Sequence, residues 1–411
     1  MERCILHCDM NNFYASVECF LNPKLNTRPI AVCGETEDRH GIVLAKNYKA
    51  KGYGVITGET VWQAKRKCPG LVIVPPHYDE YVKFSKNARE IYSRYTDMIE
   101  PMGLDECWLD VTGSQRLFGY GDKLAYEIKE SIKKELGVTV SVGVSFNKVF
   151  AKLGSDMKKP DAITVITYEC FRKQIWHLPV SDMMGVGRAT AKKLNSIGIH
   201  TIGDLAQYSC ECLISKFGKC GEDVWRFANG LDISKVVTRD PEALDKTAGH
   251  GITTKEDLIC NEEVWPVMLE LTQNIGHRLH IYGKKATGVA INIRDNALND
   301  RQWQCRLAFP SKSPYYIAKA AFQLFERSYG WIRPIRSVAV RAIDLISDDI
   351  PQQIDIFSDT EAINKRETLD LIIEELRKRY GMKIIRNAIL LNNPKIPTVD
   401  VLNRQIQLKG S

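Results

Sequence analysis

Hydrophobic and polar positions follow two periods along the chain. The apolar run through Ile5 and Leu6 stops at Asp9, and residues 1–10 read as a first strand. Residues 13–20 continue as a helix. Runs at 29–33 and 41–45, with a polar turn over 34–39 between them, predict two short strands, and 60–67 predicts a short helix. From 79 to 99, Tyr81, Phe84, Ala88, Ile91 and Tyr92 form the stripe of a long helix. A strand through Cys107-Trp108-Leu109, a helix at 123–136, a strand at 138–144 and a helix over 145–153 complete a split β-α-β unit. Residues 167–231 read as helical, and 232–247 are polar without a period, as in a linker. The first order of elements then returns: strand 249–254, helix 262–281, strands 286–294 and 302–308, helix 315–329, strand 335–345. An amphipathic helix at 361–380, with Leu369, Ile372, Ile373 and Leu376 inward, precedes a closing strand at 384–391 and a disordered end from 395. The pattern describes an α+β multidomain chain.

Composition narrows the class. A chain of 411 residues is too long for one ordinary domain, and 44% hydrophobic residues allow full cores. A net charge of +7 suits a polyanionic partner. The 12 cysteines form no Cys-x-x-Cys pair and no zinc spacing, as expected of reduced thiols in a cytoplasmic protein. No signal peptide and no uninterrupted apolar span is present, so no membrane partner is expected.

Two adjacent carboxylates, Asp105 and Glu106, open the strand of Cys107-Trp108-Leu109-Asp110. Strand side chains alternate faces, so the pair converges only if a turn precedes the strand. Like charges this close need a counter-ion when buried. Asp9 ends the first strand, which in such sheets commonly lies centrally, and sites gather at strand ends. Three carboxylates make an oxygen-rich site suited to Mg²⁺, and two such ions drive in-line displacement at phosphorus. Gly185-Val186-Gly187 runs into a helix carrying Lys192 and Lys193, a form that brings backbone N–H groups to a DNA phosphate. Phe217-Gly218-Lys219-Cys220-Gly221 reads as a weaker second copy.

Asp9-Met10-Asn11-Asn12-Phe13-Tyr14-Ala15 together with Leu104-Asp105-Glu106-Cys107-Trp108-Leu109-Asp110 resembles the paired palm motifs of Y-family translesion DNA polymerases, closest to the DNA polymerase IV branch. The resemblance continues through Tyr48-Lys49-Ala50-Lys51, Ser145 to Lys152, Asp156 to Pro160 and Gly185-Val186-Gly187, and covers roughly residues 1–350. Lys46-Asn47 and Ala50-Lys51 lean partly towards the polymerase V catalytic subunit, which leaves the subfamily open. The resemblance implies a right-hand polymerase: palm at 1–18 and 77–166, fingers at 19–76, a helix-hairpin-helix thumb at 167–231, a linker at 232–247, a little finger at 248–346 and a tail at 347–411.

What the resemblance implies of the site is specific. Asp9, Asp105, Glu106 and the Met10 carbonyl hold two Mg²⁺ ions, with Glu106 serving the ion at the primer hydroxyl. Phe13, Tyr14, Tyr48, Lys51 and Lys159 meet the nucleotide, and Tyr14 is the steric gate against ribose. Ile42, Val32 and Gly58 roof the templating base. Gly185, Gly187, Lys192 and Lys193 contact DNA phosphates. Lys284, Lys285, Arg294, Arg301, Arg306, Arg336 and Arg341 follow the duplex in the little finger. Gln353-Ile354-Asp355-Ile356-Phe357 resembles a clamp-binding peptide. The chain departs from the family at Asn11, usually aspartate, at Lys51, usually arginine, at Ala45, often a hydroxyl residue, and at Gly103-Leu104. The expected partners are primer-template DNA, deoxynucleoside triphosphates and a sliding clamp, met by a monomer. A nucleotide cyclase on a related palm and a non-catalytic DNA scaffold are the other readings of the carboxylates.

Overall fold

The computed structural model describes residues 3–34, 41–238, 246–350, 359–382, 384–391 and 393–396. They fall into two compact units, residues 3–34 with 42–238, and the described residues between 246 and 396.

The first unit starts with strand β1 (Ile5–Met10), all six residues buried. A strand covered on both faces shows no alternation of exposure, and here His7 and Asp9 are buried along with Ile5, Leu6, Cys8 and Met10. Helix α1 (Phe13–Leu21) follows. A small sheet comes next: β2 (Ile30–Cys33), β3 (Val43–Lys46), α2 (Tyr48–Gly52), α3 (Val61–Lys67) and β4 (Val72–Val74), in strand order β3-β2-β4. Asn47 welds it. Its side chain accepts from Ala50 N, capping α2, and from Ile30 N at 3.2 Å, while its amide donates to Arg28 O at 2.8 Å.

The chain then builds α4 (Tyr78–Ser93), β5 (Ile99–Met102), β6 (Glu106–Asp110), α5 (Gln115–Phe118), α6 (Gly121–Leu136), β7 (Val140–Ser145), α7 (Lys148–Met157) and β8 (Ile163–Ile166). The five strands order as β5-β6-β1-β7-β8, with β1 in the centre and antiparallel to both neighbours. The helix expected over 79–99 stops at Ser93. Ile99–Met102 pairs with β6 instead, and Thr96 donates to Asp110 O at 2.7 Å, so tertiary pairing overrides the helical stripe. Side chains of α4 and α6 share one core with β1, β6 and β7. On the other face α7 packs beside Ile5 and Trp108, and Trp108 donates to Lys148 O at 3.0 Å.

Five helices finish this unit: α8 (Phe171–Ile175), α9 (Arg188–Asn195), α10 (Ile202–Gln207), α11 (Cys210–Phe217) and α12 (Lys219–Ala228), around Phe171, Leu194, Ile202 and Leu213.

The second unit runs β9 (Thr247–Leu258), α13 (Asn261–Ile281), β10 (Lys284–Asp295), β11 (Asp300–Ser311), α14 (Pro314–Ser328), β12 (Ile335–Ser347) and α15 (Thr360–Tyr380). Its antiparallel sheet has the order β11-β10-β12-β9. Val289, Ile291, Ile293, Val338 and Val340 share a core with residues of α13 and α14. By strand alternation Arg294, Arg306 and Arg341 stand on the opposite face. Arg301 pairs with Ile293 and falls on the helix side of its edge strand. Arg294 is paired with Asp300 and Lys285 with Asp348.

The tail departs from its pattern in two places. Leu369 and Ile372 are 46% and 50% exposed. Helix α15 docks instead by a polar stripe: Asp370 accepts from Ser313, Glu374 pairs with His277 at 2.6 Å, and Arg377 donates to Gln273 at 3.0 Å. These charged groups can be buried because each finds a partner. No strand forms at 384–391; Ala388–Leu390 is a single 3₁₀ turn, with Leu390 in the core.

One glycine controls how closely α7 approaches the central sheet. A Cβ on Gly143 of β7 would lie 1.9 Å from Ala151 O. Gly143→Val should therefore lower the melting temperature strongly, by overpacking of at least about 1–3 kcal/mol against rigid backbone. Thermal unfolding followed by circular dichroism checks this, with Gly113→Val, where a Cβ meets nothing within 4 Å, as the tolerant control.

Candidate active site

The site forms where β1 ends and β6 begins. Met10 N donates to Asp105 O at 3.0 Å, which sets the register and places Asp9 directly opposite Glu106. Side chains directly opposite on neighbouring strands share a face, with Cβ atoms about 4.5–5.5 Å apart. Asp105 is not part of the strand. It lies in a turn opened by Gly103, whose φ of +80° favours glycine. That turn is the bend the adjacent carboxylates need.

Lysine ammonium groups meet two of the carboxylates. Lys159 Nζ lies 2.5 Å from Asp9 Oδ2 and 2.7 Å from Asp156 Oδ1. Lys152 Nζ lies 2.6 Å from Glu106 Oε2. Burial pushes the Asp9 carboxyl above its ordinary range even against Lys159. Burial, with Glu106 next to it, raises Asp105 to about 6. Burial acts on Glu106 too, but His7 and Lys152 outweigh it and hold that carboxyl low. Among the described residues no ammonium contacts Asp105, and repulsion from Glu106 adds to the effect of burial.

Tyr48 has its phenol raised by burial, and Lys159 and Asp9 both act on it. Lys51 Nζ lies 5.6 Å from the Tyr48 ring centroid, one helical turn away. Tyr14 stacks on Tyr81 with centroids 4.1 Å apart. Its phenol is pushed up to about 12, chiefly by burial. Phe13 is buried in the core beside Tyr81, so of the two rings only Tyr14 keeps a partly open surface. The structure thus gathers Asp9, Asp105, Glu106, Lys159, Tyr48, Lys51 and Tyr14 at one end of the sheet. Ile42 is 41% exposed, and a Cβ on Gly58 would meet open space. Val32, on β2, is fully buried on the face of the small sheet that packs with Ala15 and Cys19 of α1, so its side chain serves packing and not a surface.

Asn11 explains its own departure from aspartate. It is 2% exposed; its amide donates to Ser141, and its oxygen accepts from Thr139 Oγ1 and Asp161 N. A carboxylate cannot make that donation.

Three residues escaped the reading of the sequence. His7 is fully buried beneath Glu106, with Nδ1 2.8 Å from Ser155 Oγ and Nε2 3.5 Å from Glu106 Oε2. Burial lowers its pKa and keeps the ring neutral. Lys152 and Ser155 come from α7, whose start is fixed by Asn147 accepting from Phe150 N at 2.8 Å. The available signal was spacing: Lys148, Lys152, Ser155 and Asp156 share a helical face. That face turns to the carboxylates only once α7 is docked.

In the helical stretch, Gly185 has φ +86° and Gly187 is the N-cap of α9, where a Cβ would meet nothing within 4 Å. Lys192 and Lys193 are exposed. The second copy differs. A Cβ on Gly221 would lie 2.4 Å from Leu213 O, so this glycine lets α11 and α12 pack rather than admitting a ligand.

Comparison with known proteins follows the same plan. Residues 8–156 match the impB/mucB/samB family, 181–232 match the DNA polymerase-iota thumb domain, and 245–356 match the impB/mucB/samB family C-terminal domain. A DNA polymerase IV of Acetivibrio thermocellus is 51% identical over 393 residues, 96% of this chain and 98% of that one. The chain belongs to the Y-family DNA polymerases, on the polymerase IV branch. DNA polymerase IV 1 of Bacillus subtilis is 36% identical over 97% of this chain and 95% of its own. A solved Y-family DNA polymerase chimera of Dbh and Dpo4 superposes with a TM-score of 0.74 at 24% identity, covering 84% of this chain and 99% of that one. It is therefore a DNA-directed DNA polymerase of translesion synthesis, which sets aside the cyclase and scaffold readings. No helix among the described residues is long and apolar enough to cross a membrane.

Membership of this family brings dependence on a divalent metal. Among the described residues no three His, Cys, Asp or Glu side chains already stand as an ion cage, because Asp9 and Glu106 are turned to lysines. The donor set nevertheless fits a hard cation: three carboxylates within electrostatic reach of one another, two of them raised. A carboxyl raised in the folded state favours folding below its unfolded pKa, and that benefit is lost as pH rises through the folded value. Metal-free stability from Asp105 should thus decline between about pH 4 and about pH 6. A divalent cation binds the ionised form, so the rise in melting temperature on adding Mg²⁺ should be larger at pH 8 than at pH 5.5. Equal rises at both would contradict the assignment.

Proposed function

We propose that this polymerase adds deoxynucleotides at Asp9, Asp105 and Glu106, with Asp9, Asp105, Glu106 and the Met10 carbonyl holding two Mg²⁺ ions. The observation that carries the reading is the register of β1 on β6, which sets Asp9 against Glu106 with Asp105 in the adjoining turn. Bound ions of this kind make a primer 3′-hydroxyl easier to deprotonate and balance the charge of the phosphates. The protein does the rest by placement. Lys159 pairs with Asp9 and Lys152 with Glu106 in the structure. On our reading Lys159 passes to the triphosphate when the nucleotide arrives, with Tyr48 and Lys51 as further phosphate partners. Lysine at position 51 offers a point charge where arginine offers a bidentate fork, which weakens that hold. Gly185, Gly187, Lys192 and Lys193 would then grip the duplex backbone, and the strand face of Arg306 and Arg341 would follow its phosphates. Such contacts set position without reading sequence.

Gln353 to Phe357 lies outside the described residues. Its assignment to a sliding clamp rests on the sequence, as a short apolar peptide flanked by polar residues.

Two substitutions test the site. Asp105→Ala should abolish nucleotide addition and leave primer-template affinity near wild type, since the side chain serves the ions and not the duplex. Retained primer extension would sink the assignment. Tyr14→Ala should raise ribonucleotide incorporation strongly and change deoxynucleotide incorporation much less, because the ring stacked on Tyr81 would fill the space an extra 2′-oxygen needs. Phe13→Ala should instead lower stability by about 3–5 kcal/mol, as loss of a buried aromatic does. Single-nucleotide insertion assays with both sugar types, alongside thermal unfolding, separate the two rings.

A further inference from the structure

Apart from Lys51, the small-sheet segment between residues 41 and 76 carries charge and a ring that the proposed reaction does not use. Lys46, Lys49, Lys51, Lys65, Arg66 and Lys67 face one acid, Glu59. Six cations less one acid leave +5 in this segment, against +7 for the whole chain. Glu59 is itself buried and paired with Lys67 at 2.5 Å, so it does little to balance the surface.

Trp62 stands in this field. It is 65% exposed, while the other six tryptophans are buried or half-buried. Its position is fixed by the helix that carries it. Thr60 and Gln63 close a capping box at the start of α3, and Val61 and Ala64 turn into the core. The indole is left pointing outward, with Arg66 Cζ 5.2 Å from the ring centroid, one turn on. An aromatic face kept in water beside a guanidinium, on a basic surface, is the form that stacks unpaired bases.

The location selects which bases. Thr60 forms a β-bridge with Ile42, and Val43 N donates to Glu59 O at 2.9 Å while Gly58 N donates to Val43 O at 2.8 Å. The start of α3 is thereby strapped to Ile42, the residue assigned to cover the templating base. Beyond the templating base a primer-template continues only as single strand. We propose that Trp62, with Arg66, is a stacking platform for the unpaired template strand just ahead of the templating base. The proposal rests on the placement of Ile42 at that base.

The test compares full-length wild type with Trp62→Ala, Trp62→Phe and Arg66→Ala by fluorescence anisotropy. Two primer-templates are used, one with a long 5′ template overhang and one trimmed to the templating base. Wild type should bind the long overhang more tightly. Trp62→Ala should lose that preference, a weakening of about tenfold for a lost base stack, and bind the trimmed substrate as wild type does. Trp62→Phe should keep most of the preference, and Arg66→Ala should lose part of it. The platform is overturned if Trp62→Ala keeps the preference, if it weakens both substrates equally, or if wild type shows none. The placement of Ile42 is read separately, from altered insertion by Ile42→Ala on the trimmed substrate.

Discussion

The structure depends on three like charges held at the end of one central strand pair. Asp9 and Glu106 oppose each other across β1 and β6, and Asp105 is brought beside them by the turn at Gly103. Burial makes this costly, as the raised carboxyls of Asp9 and Asp105 show. The protein meets the cost with cations from a single direction. Lys152 lies on α7 and Lys159 just beyond its end, so one helix and its exit supply both ammonium groups.

The close approach of α7 to the sheet makes that arrangement possible. Gly143 removes the side chain that would stand between β7 and Ala151. His7, too far inside to touch substrate, props Glu106 from below and is itself held by Ser155 of α7. Lys148 extends the same pattern, lying 4.4 Å from the Trp108 ring centroid and pairing with Glu100 at 2.7 Å. Core packing and site electrostatics here are one set of contacts.

Elsewhere polar groups take places that a hydrophobic pattern would give to apolar ones. Helix α15 turns Asp370, Glu374 and Arg377 inward and leaves Leu369 and Ile372 exposed. Its stripe of charge is satisfied by Ser313, His277 and Gln273, which are far away in sequence. Periodicity reports which residues share a face, but the partner decides which face is buried.

The sequence by itself determined most of the elements, the repeated β-α-β plan and the carboxylate pair, but not the strands at Val72–Val74, Ile99–Met102 and Ile163–Ile166. What it determined is written in local spacing: a short strand ending at Asp9, adjacent carboxylates before an apolar strand, aromatic residues at helical intervals. Only the tertiary structure decided the rest. Helix α4 gave up its last residues because Ile99–Met102 found an edge on β6. Val32 on β2 packed inward against α1 while Ile42 stayed outside. Lys152 and His7 became neighbours of Glu106 through contacts spanning 46 and 99 residues of chain. Such pairings depend on which surfaces meet after collapse, and no local window of residues encodes them.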